Sequence, residues 1–251
     1  NITARDLRME AGAAVGTGAQ HVETAVDRVA ASSGAGGVYV SELDNVRVDQ
    51  ISPVAVNHVN SDGSTTAHNI GAVLNGVNAV ASIGFTDGSI VLDAADTVIV
   101  NQSMLAANNL RVTTSAHDVR TGAALSAGDN VTVLAQRDVE QLAGNGDITA
   151  ATGTIDVEAG RDILMSNGRV SETHAGDIRY VAGRDVQLGQ VIANAGAADV
   201  YVEAPAGEIR DAKGVSITTD SNTGFATDSS RSSANVVANK LTMKAAGNIG
   251  A

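Results

Sequence analysis

The chain has no cysteine and no tryptophan, and only two phenylalanines and three tyrosines among its 251 residues. Disulfide and thiolate chemistry are therefore excluded. An extracellular protein is not, because a long repeat stack builds a continuous core without disulfides. With aromatics at 2%, Val, Ile, Leu and Ala must fill the interior, which suits a narrow core of thin layers. Proline is almost absent, with two residues against 27 glycines. Such a chain turns often yet rarely interrupts its backbone ladder. Cations are also scarce: 16 Lys and Arg against 28 Asp and Glu give a net charge of −12 and an isoelectric point near 4.6. That balance disfavours nucleic acid as a partner, since phosphate binding needs clustered Lys and Arg, and disfavours docking on anionic lipid. No run of about twenty apolar residues is available for membrane insertion as a helix. The start at Asn1-Ile2-Thr3 is not the basic-then-apolar start of a signal peptide. Both it and the end at Ile249-Gly250-Ala251 fall in mid-pattern, so the ends read as cut from something longer.

What the chain does have is 43% apolar residues, ample for a folded protein, arranged in one recurring pattern. It runs apolar-x-apolar, about five small or polar residues, Asp, then apolar-x-apolar. Clear copies are Val131-Thr132-Val133 with Asp138-Val139, Ile155-Asp156-Val157 with Asp162-Ile163, and Ile178-Arg179-Tyr180 with Asp185-Val186. Weaker copies start at Val38, Ile90, Leu110 and Val200. From Ile90 onward the first apolar positions are separated by 20, 21, 24, 23 and 22 residues. A repeat of that size cannot bury its own core, so it predicts a solenoid in which each copy covers its neighbour. The period-two alternation, bounded by Gly, Asn and Asp, marks short strands. Helical spacing competes only at His21–Ala31, where Val22, Ala25, Val26 and Val29 would form one face. The expected fold is all-β: a parallel β-helix with coils of about 20–24 residues, two or three strands per coil, and a rise of about 4.8 Å per coil. Roughly ten coils would make a rod of about 50 Å.

Four positions after the first apolar residue stand Ala94, Ala135, Ala159, Ala182 and Ala204, as expected of a tight corner where stacked side chains share one narrow volume. Asp138, Asp162 and Asp185 precede the second strand and are placed to accept turn amides. Arg137, Arg161 and Arg184 stand beside them, which predicts a charge ladder from coil to coil. Calcium is the competing reading of the Asp column. The Gly-Gly-x-Gly-x-Asp nonapeptide of calcium-binding solenoids is absent, and each Asp has an Arg beside it.

The two termini resemble each other at a constant offset of 234 residues. Asn1, Ala4, Leu7, Met9, Ala11 and Gly16 match Asn235, Ala238, Leu241, Met243, Ala245 and Gly250. The expected organisation is one β-solenoid segment over 1–251: a unit of about 234 residues followed by the start of the next.

The strings Leu7-Arg8-Met9-Glu10-Ala11-Gly12, Ala159-Gly160-Arg161-Asp162-Ile163-Leu164, Ala182-Gly183-Arg184-Asp185-Val186-Gln187-Leu188 and Ala246-Gly247-Asn248-Ile249-Gly250 resemble the solenoid repeats of filamentous-haemagglutinin-like surface proteins. They are especially similar to those of very large, repetitive bacterial adhesins. The resemblance covers roughly 1–52 and 88–251 and rests on motifs of low information. It implies a right-handed parallel β-helix, export to the cell surface, and a role in adhesion or as a stalk. No catalytic residue comes with it.

Two stretches break the period. Residues 53–87, containing Ser61-Asp62-Gly63-Ser64 as a turn signal, read as a projecting hairpin or lobe. Residues 218–233, rich in Ser, Thr and Asp around Phe225, read as a loop insertion. His58 and His68 with Asp62 do not display the three or four convergent ligands zinc needs, and the reading is a solvated loop. His21, His117 and His174 are scattered.

Three classes of function remain. A rigid structural or adhesive spacer in a secreted or surface fibre is preferred. Its partners would be neighbouring units of the same chain, with end-to-end association at bare coil edges. A polysaccharide lyase or hydrolase on the same fold would need paired acids, and the acids here fall mostly one per coil beside Arg. A carbohydrate- or ice-binding surface would show flat polar columns, whereas Thr113-Thr114 and Thr218-Thr219 are isolated pairs. Catalytic, cofactor-binding and metal-ligating residues are accordingly not assigned, and no cofactor is expected.

Overall fold

The structure is a computed structural model and describes residues 1–79, 88–212 and 234–250. Its backbone winds into a β-solenoid of about nine turns, which at about 4.8 Å per turn makes a rod of roughly 43 Å. Each full coil carries three strands, and the strands of successive coils stack in parallel to give the rod three faces. One coil illustrates the plan: Ile155–Ala159 lies on the first face, Ile163–Met165 on the second and Val170–Thr173 on the third. The register is residue on residue. Ile90, Leu110, Val131, Ile155, Ile178, Val200 and Leu241 form one unbroken column on the first face. The 20–24-residue spacing is therefore the circumference of a coil.

Alternation decides which side chains enter. In Val131–Ala135, Ile155–Ala159 and Val200–Ala204, positions one, three and five are buried while two and four face outward. Those inward columns merge with the corresponding ones of the other faces into one core cluster running the length of the stack. The alanines anticipated at the corner, Ala94, Ala135, Ala159, Ala182 and Ala204, all end first-face strands and are buried. Toward the first coils the column departs from alanine: Glu42 and Thr114 stand opposite Ala94 from either side, and Thr24 lies opposite Glu42.

Tyr180 replaces a β-branched residue in the column between Val157 and Val202. Its ring fills the lumen, and its hydroxyl reaches the other two walls, bonding Ser171 on the third face and lying 3.2 Å from Gln141 Oε1 on the second. Gln141 also donates to the Gly146 carbonyl at 3.1 Å and accepts from Ser171 at 3.2 Å. The network leaves no member unpaired, as a buried polar group requires.

The stretch at His21–Ala31 is a strand, not a helix. Val22–Ser33 runs twelve residues around all three faces and pairs with Ile2–Ala11 over nearly its whole length. A helix there would forfeit ladder hydrogen bonds on both sides. Sequence likeness between the termini is not matched by position. Leu7, Met9 and Ala11 lie opposite Val29, Ala31 and Ser33, whereas Leu241, Met243 and Ala245 lie on the first face opposite Val200, Val202 and Ala204.

The period breaks at residue 53 because the chain leaves the stack. Gln50–Ile51 pairs antiparallel with Leu74–Asn75 as a base, and beyond it Val54–Val59 and Thr65–Ile70 form an antiparallel ribbon. The anticipated insertion at 218–233 lies outside the described residues, as do 80–87.

Candidate functional site

Three places concentrate chemistry-bearing side chains. The first is the corner between the first and second faces, where the Ala-Gly-Arg-Asp strings lie. Alanine fills the corner inside. Glycine follows because the coil below passes very close: a methyl added at Gly160 would collide with the Gln136 carbonyl oxygen, and one at Gly183 with that of Gly160. Arginine then reaches back one coil. Arg137 holds both oxygens of Asp118 at 2.6 Å through Nε and Nη2. Arg161 grips Asp138 and Arg184 grips Asp162 in the same bidentate way, with Nε contacts of 2.8 Å. Each Asp also accepts an amide of the next coil: Asp138 N on Asp118 at 3.3 Å, Asp162 N on Asp138 at 3.2 Å, Asp185 N on Asp162 at 3.1 Å. Sequence placed these carboxylates on turn amides of their own coil. Stacking puts the next coil's amide directly overhead, and the caps cross between coils.

The aspartates are nearly enclosed, with Asp118, Asp138 and Asp162 no more than 4% exposed. Arg137 beside Asp118 holds its carboxyl below the usual range. Burial pushes the Asp162 carboxyl up, but Arg184 and the Asp185 amide outweigh it and the net direction is down. Asp118, Asp138 and Glu140 offer oxygens within 4.8 Å of one another, the arrangement a calcium site would use. Arg137, Arg161 and Arg120 occupy the space around them, with Arg120 Nη2 at 3.1 Å from Asp118. This donor set is already neutralised by guanidinium and fits a structural clamp.

The second place is a cleft of about 610 Å³ near the first coils, lined by Glu23, Glu42, Asp93, Arg111 and Thr113 among others. Glu23, Ser41, Asp93 and Thr113 fall in one outward column of the first face. Asp93 is ion-paired with Arg111 at 2.7 Å, with His21 Nδ1 3.7 Å away. Glu42 is 3% exposed and accepts from Thr24 Oγ1 at 2.6 Å, Leu43 N at 3.0 Å and Val26 N at 3.1 Å. It replaces ladder acceptors where the long strand Val22–Ser33 cuts the corner. Sequence reasoning missed Glu42, because nothing in Ser41-Glu42-Leu43 marks an inward carboxylate. The signal available was its spacing, four residues after Val38, in the alanine column.

The third place is the ribbon. Every residue of Val54–Val59 and Thr65–Ile70 is exposed. Asp62 is engaged in the turn, accepting from Ser64 N at 2.9 Å and Ser64 Oγ at 2.6 Å. His58 and His68 come together across the two strands, their ring centroids 5.9 Å apart. Sequence had read them as a solvated loop. His117 pairs with Asp96 and His174 lies 3.7 Å from Glu172.

Compared with known families, curated proteins and solved structures, the chain gives no match to any.

Proposed function

We propose that this chain is a non-catalytic structural or adhesive module, a rigid spacer in a long secreted or cell-surface bacterial fibre. The observation that carries the reading is the unbroken column from Ile90 to Leu241, clamped at its corner coil by coil through Arg–Asp pairs. Bending such a rod means stretching the parallel ladders on its outer side and compressing those opposite, so the stack resists bending and a force at one end is passed to the other. The resemblance of the Ala-Gly-Arg-Asp strings to filamentous-haemagglutinin-like repeats supports export and a surface location, and the acidic charge favours solubility of an extended particle. Neighbouring units of the same chain are the natural partners at the coil edges.

The cleft beside Arg111 favours a second reading, a carbohydrate-binding or polysaccharide-cleaving site. Glu23 and Asp93 sit two coils apart in one column, at about 10 Å between backbones from the strand spacing, and a sugar chain could lie between them. Against it, Asp93 is held by Arg111 and Glu42 is spent on three internal donors.

Small-angle scattering on tandems of one, two and three units tests the preferred reading. The expected maximum dimension rises in proportion to unit number. Growth as the square root of that number would indicate a flexible string and overturn the spacer, and new reducing ends released from a polysaccharide would overturn the non-catalytic assignment.

A further inference from the structure

Among the described residues, the ribbon is the segment that leaves the rod, and its register creates an arrangement the stack does not need. Residues directly opposite in an antiparallel ladder point to the same side. Val54 faces Ile70, Val56 faces His68 and His58 faces Thr66, so these six share one side of the ribbon. His58 and His68 are diagonal neighbours on it, 5.9 Å between centroids with ring planes 51° apart. Val54, Val56 and Ile70 beside them are 61%, 45% and 59% exposed. An isolated two-stranded ribbon is marginal in water, and this one exposes an apolar strip ending in two imidazoles.

We propose that His58 and His68 are half of a zinc(II) site completed by the same pair of a second copy, so that the metal joins two rods side by side through their ribbons. With zinc–nitrogen bonds of about 2.0–2.1 Å and tetrahedral angles, two imidazoles on one ion have centroids roughly 5 Å apart. Exposed rings at 5.9 Å close that gap by small rotations of their side chains. Zinc takes four protein ligands in closed sites, and one ribbon supplies two. The nearby carboxylate, Asp62, is committed to its turn. A two-fold axis through the ion brings the second pair without any new residue, because an isologous contact uses the same patch twice. The same contact covers Val54, Val56 and Ile70 of both copies.

Charge explains why the metal is needed and why contact falls here. Two chains of net charge −12 repel each other. The segment from Val54 to Ile70 carries a single charged residue, Asp62, so the ribbon is where repulsion is least, and a divalent cation between the copies offsets it.

Sedimentation of the whole chain, with zinc titrated against a chelator, tests the proposal. The expected result is a dimer that saturates at one zinc per two chains and returns to monomer with chelator. His58→Asn or His68→Asn should each weaken zinc binding by about tenfold or more, since even losing an outer-shell partner costs that much. Thermal unfolding of both variants should be unchanged, as both sites are exposed. Cobalt(II) in place of zinc should give the visible absorption of a tetrahedral nitrogen-ligated ion. A chain that stays monomeric with zinc present overturns the proposal. So does binding at one zinc per chain without association, or a double His variant that dimerises as the parent does. Association that ignores zinc would report coil-edge stacking, leave the spacer reading intact and count against this site.

Discussion

Replacing Ile155 with alanine probes the stack at its centre. Ile155 is 1% exposed and lies between Val131 and Ile178 in the first-face column. The substitution removes three carbons, and at about 0.8 kcal/mol per buried methylene the transfer loss is about 2.4 kcal/mol. The hole cannot close by backbone movement, because Val131 N bonds Thr154 O at 2.9 Å and Ile155 N bonds Asp177 O at 3.1 Å, fixing the coils above and below. A cavity term therefore adds to the transfer term, for a total of about 3–5 kcal/mol. Leu241 occupies the same column at the last coil and is 44% exposed. The same truncation there forfeits far less burial, about 1 kcal/mol. Urea unfolding of the whole chain followed by circular dichroism measures both. The central variant should also broaden the transition, since a weakened middle interface lets the two ends unfold separately. Aspartate at Ile155, Val157, Ile163 or Ile178 should destabilise the rod strongly, because it buries an unpaired charge. An Ile155→Ala cost within about 1 kcal/mol of Leu241→Ala, or unchanged unfolding of an Asp variant, would refute the continuous core.

Tyr180→Phe should cost about 1–2 kcal/mol by the same assay, because Ser171 and Gln141 keep a bond to each other when the hydroxyl goes. Burial also pushes the Tyr180 phenol well above its ordinary range, so its contribution is present below about pH 10 and lost as pH rises beyond it; the Phe variant should lack that part of the alkaline loss. The depressed carboxyls of Asp118 and Asp162 act at the other end. A folded value below the unfolded one, about 3.9, gives stability that is present above it and lost as pH falls through the folded value. The melting temperature should hold between about pH 5 and 7 and drop below about pH 4. Asp162→Asn should flatten that drop, and an unchanged acid profile in this variant would remove Asp162 from the account.

The first face was legible because its inward residues are Ile, Leu, Val and Ala at strict alternation, and the interval between copies equals one circumference. The alanine corner followed from the same spacing. The third face was harder to see: its buried set includes Ser171, Thr173 and Ala127, which read as surface until a partner in another coil is known. Gln141 takes an inward position of its strand, and one of its buried partners, Tyr180, comes 39 residues later. His58 and His68 needed the ribbon's register, and the turn signal at 61–64 gives a reversal without saying which residues face each other. At His21–Ala31 the valines fit a helical face as well as a strand, and neighbouring strand edges decided between them.

Why the corner carries an ion pair in coil after coil follows from what apolar columns leave undetermined. Val, Ile and Leu stacked on one another fix which side of a strand faces inward. They do not distinguish one coil from the next, since every coil presents much the same profile and a shifted neighbour would still bury apolar surface. Arg137, Arg161 and Arg184 each need the carboxylate of the coil before, and each Asp needs the amide of the coil after. A pair this enclosed adds little net stability over an apolar substitute, yet leaving either partner alone is costly. A slipped coil would strand a buried aspartate at that corner. The clamp thus penalises misregistration more than it rewards folding, which is what a rod of nearly identical turns requires to wind one way.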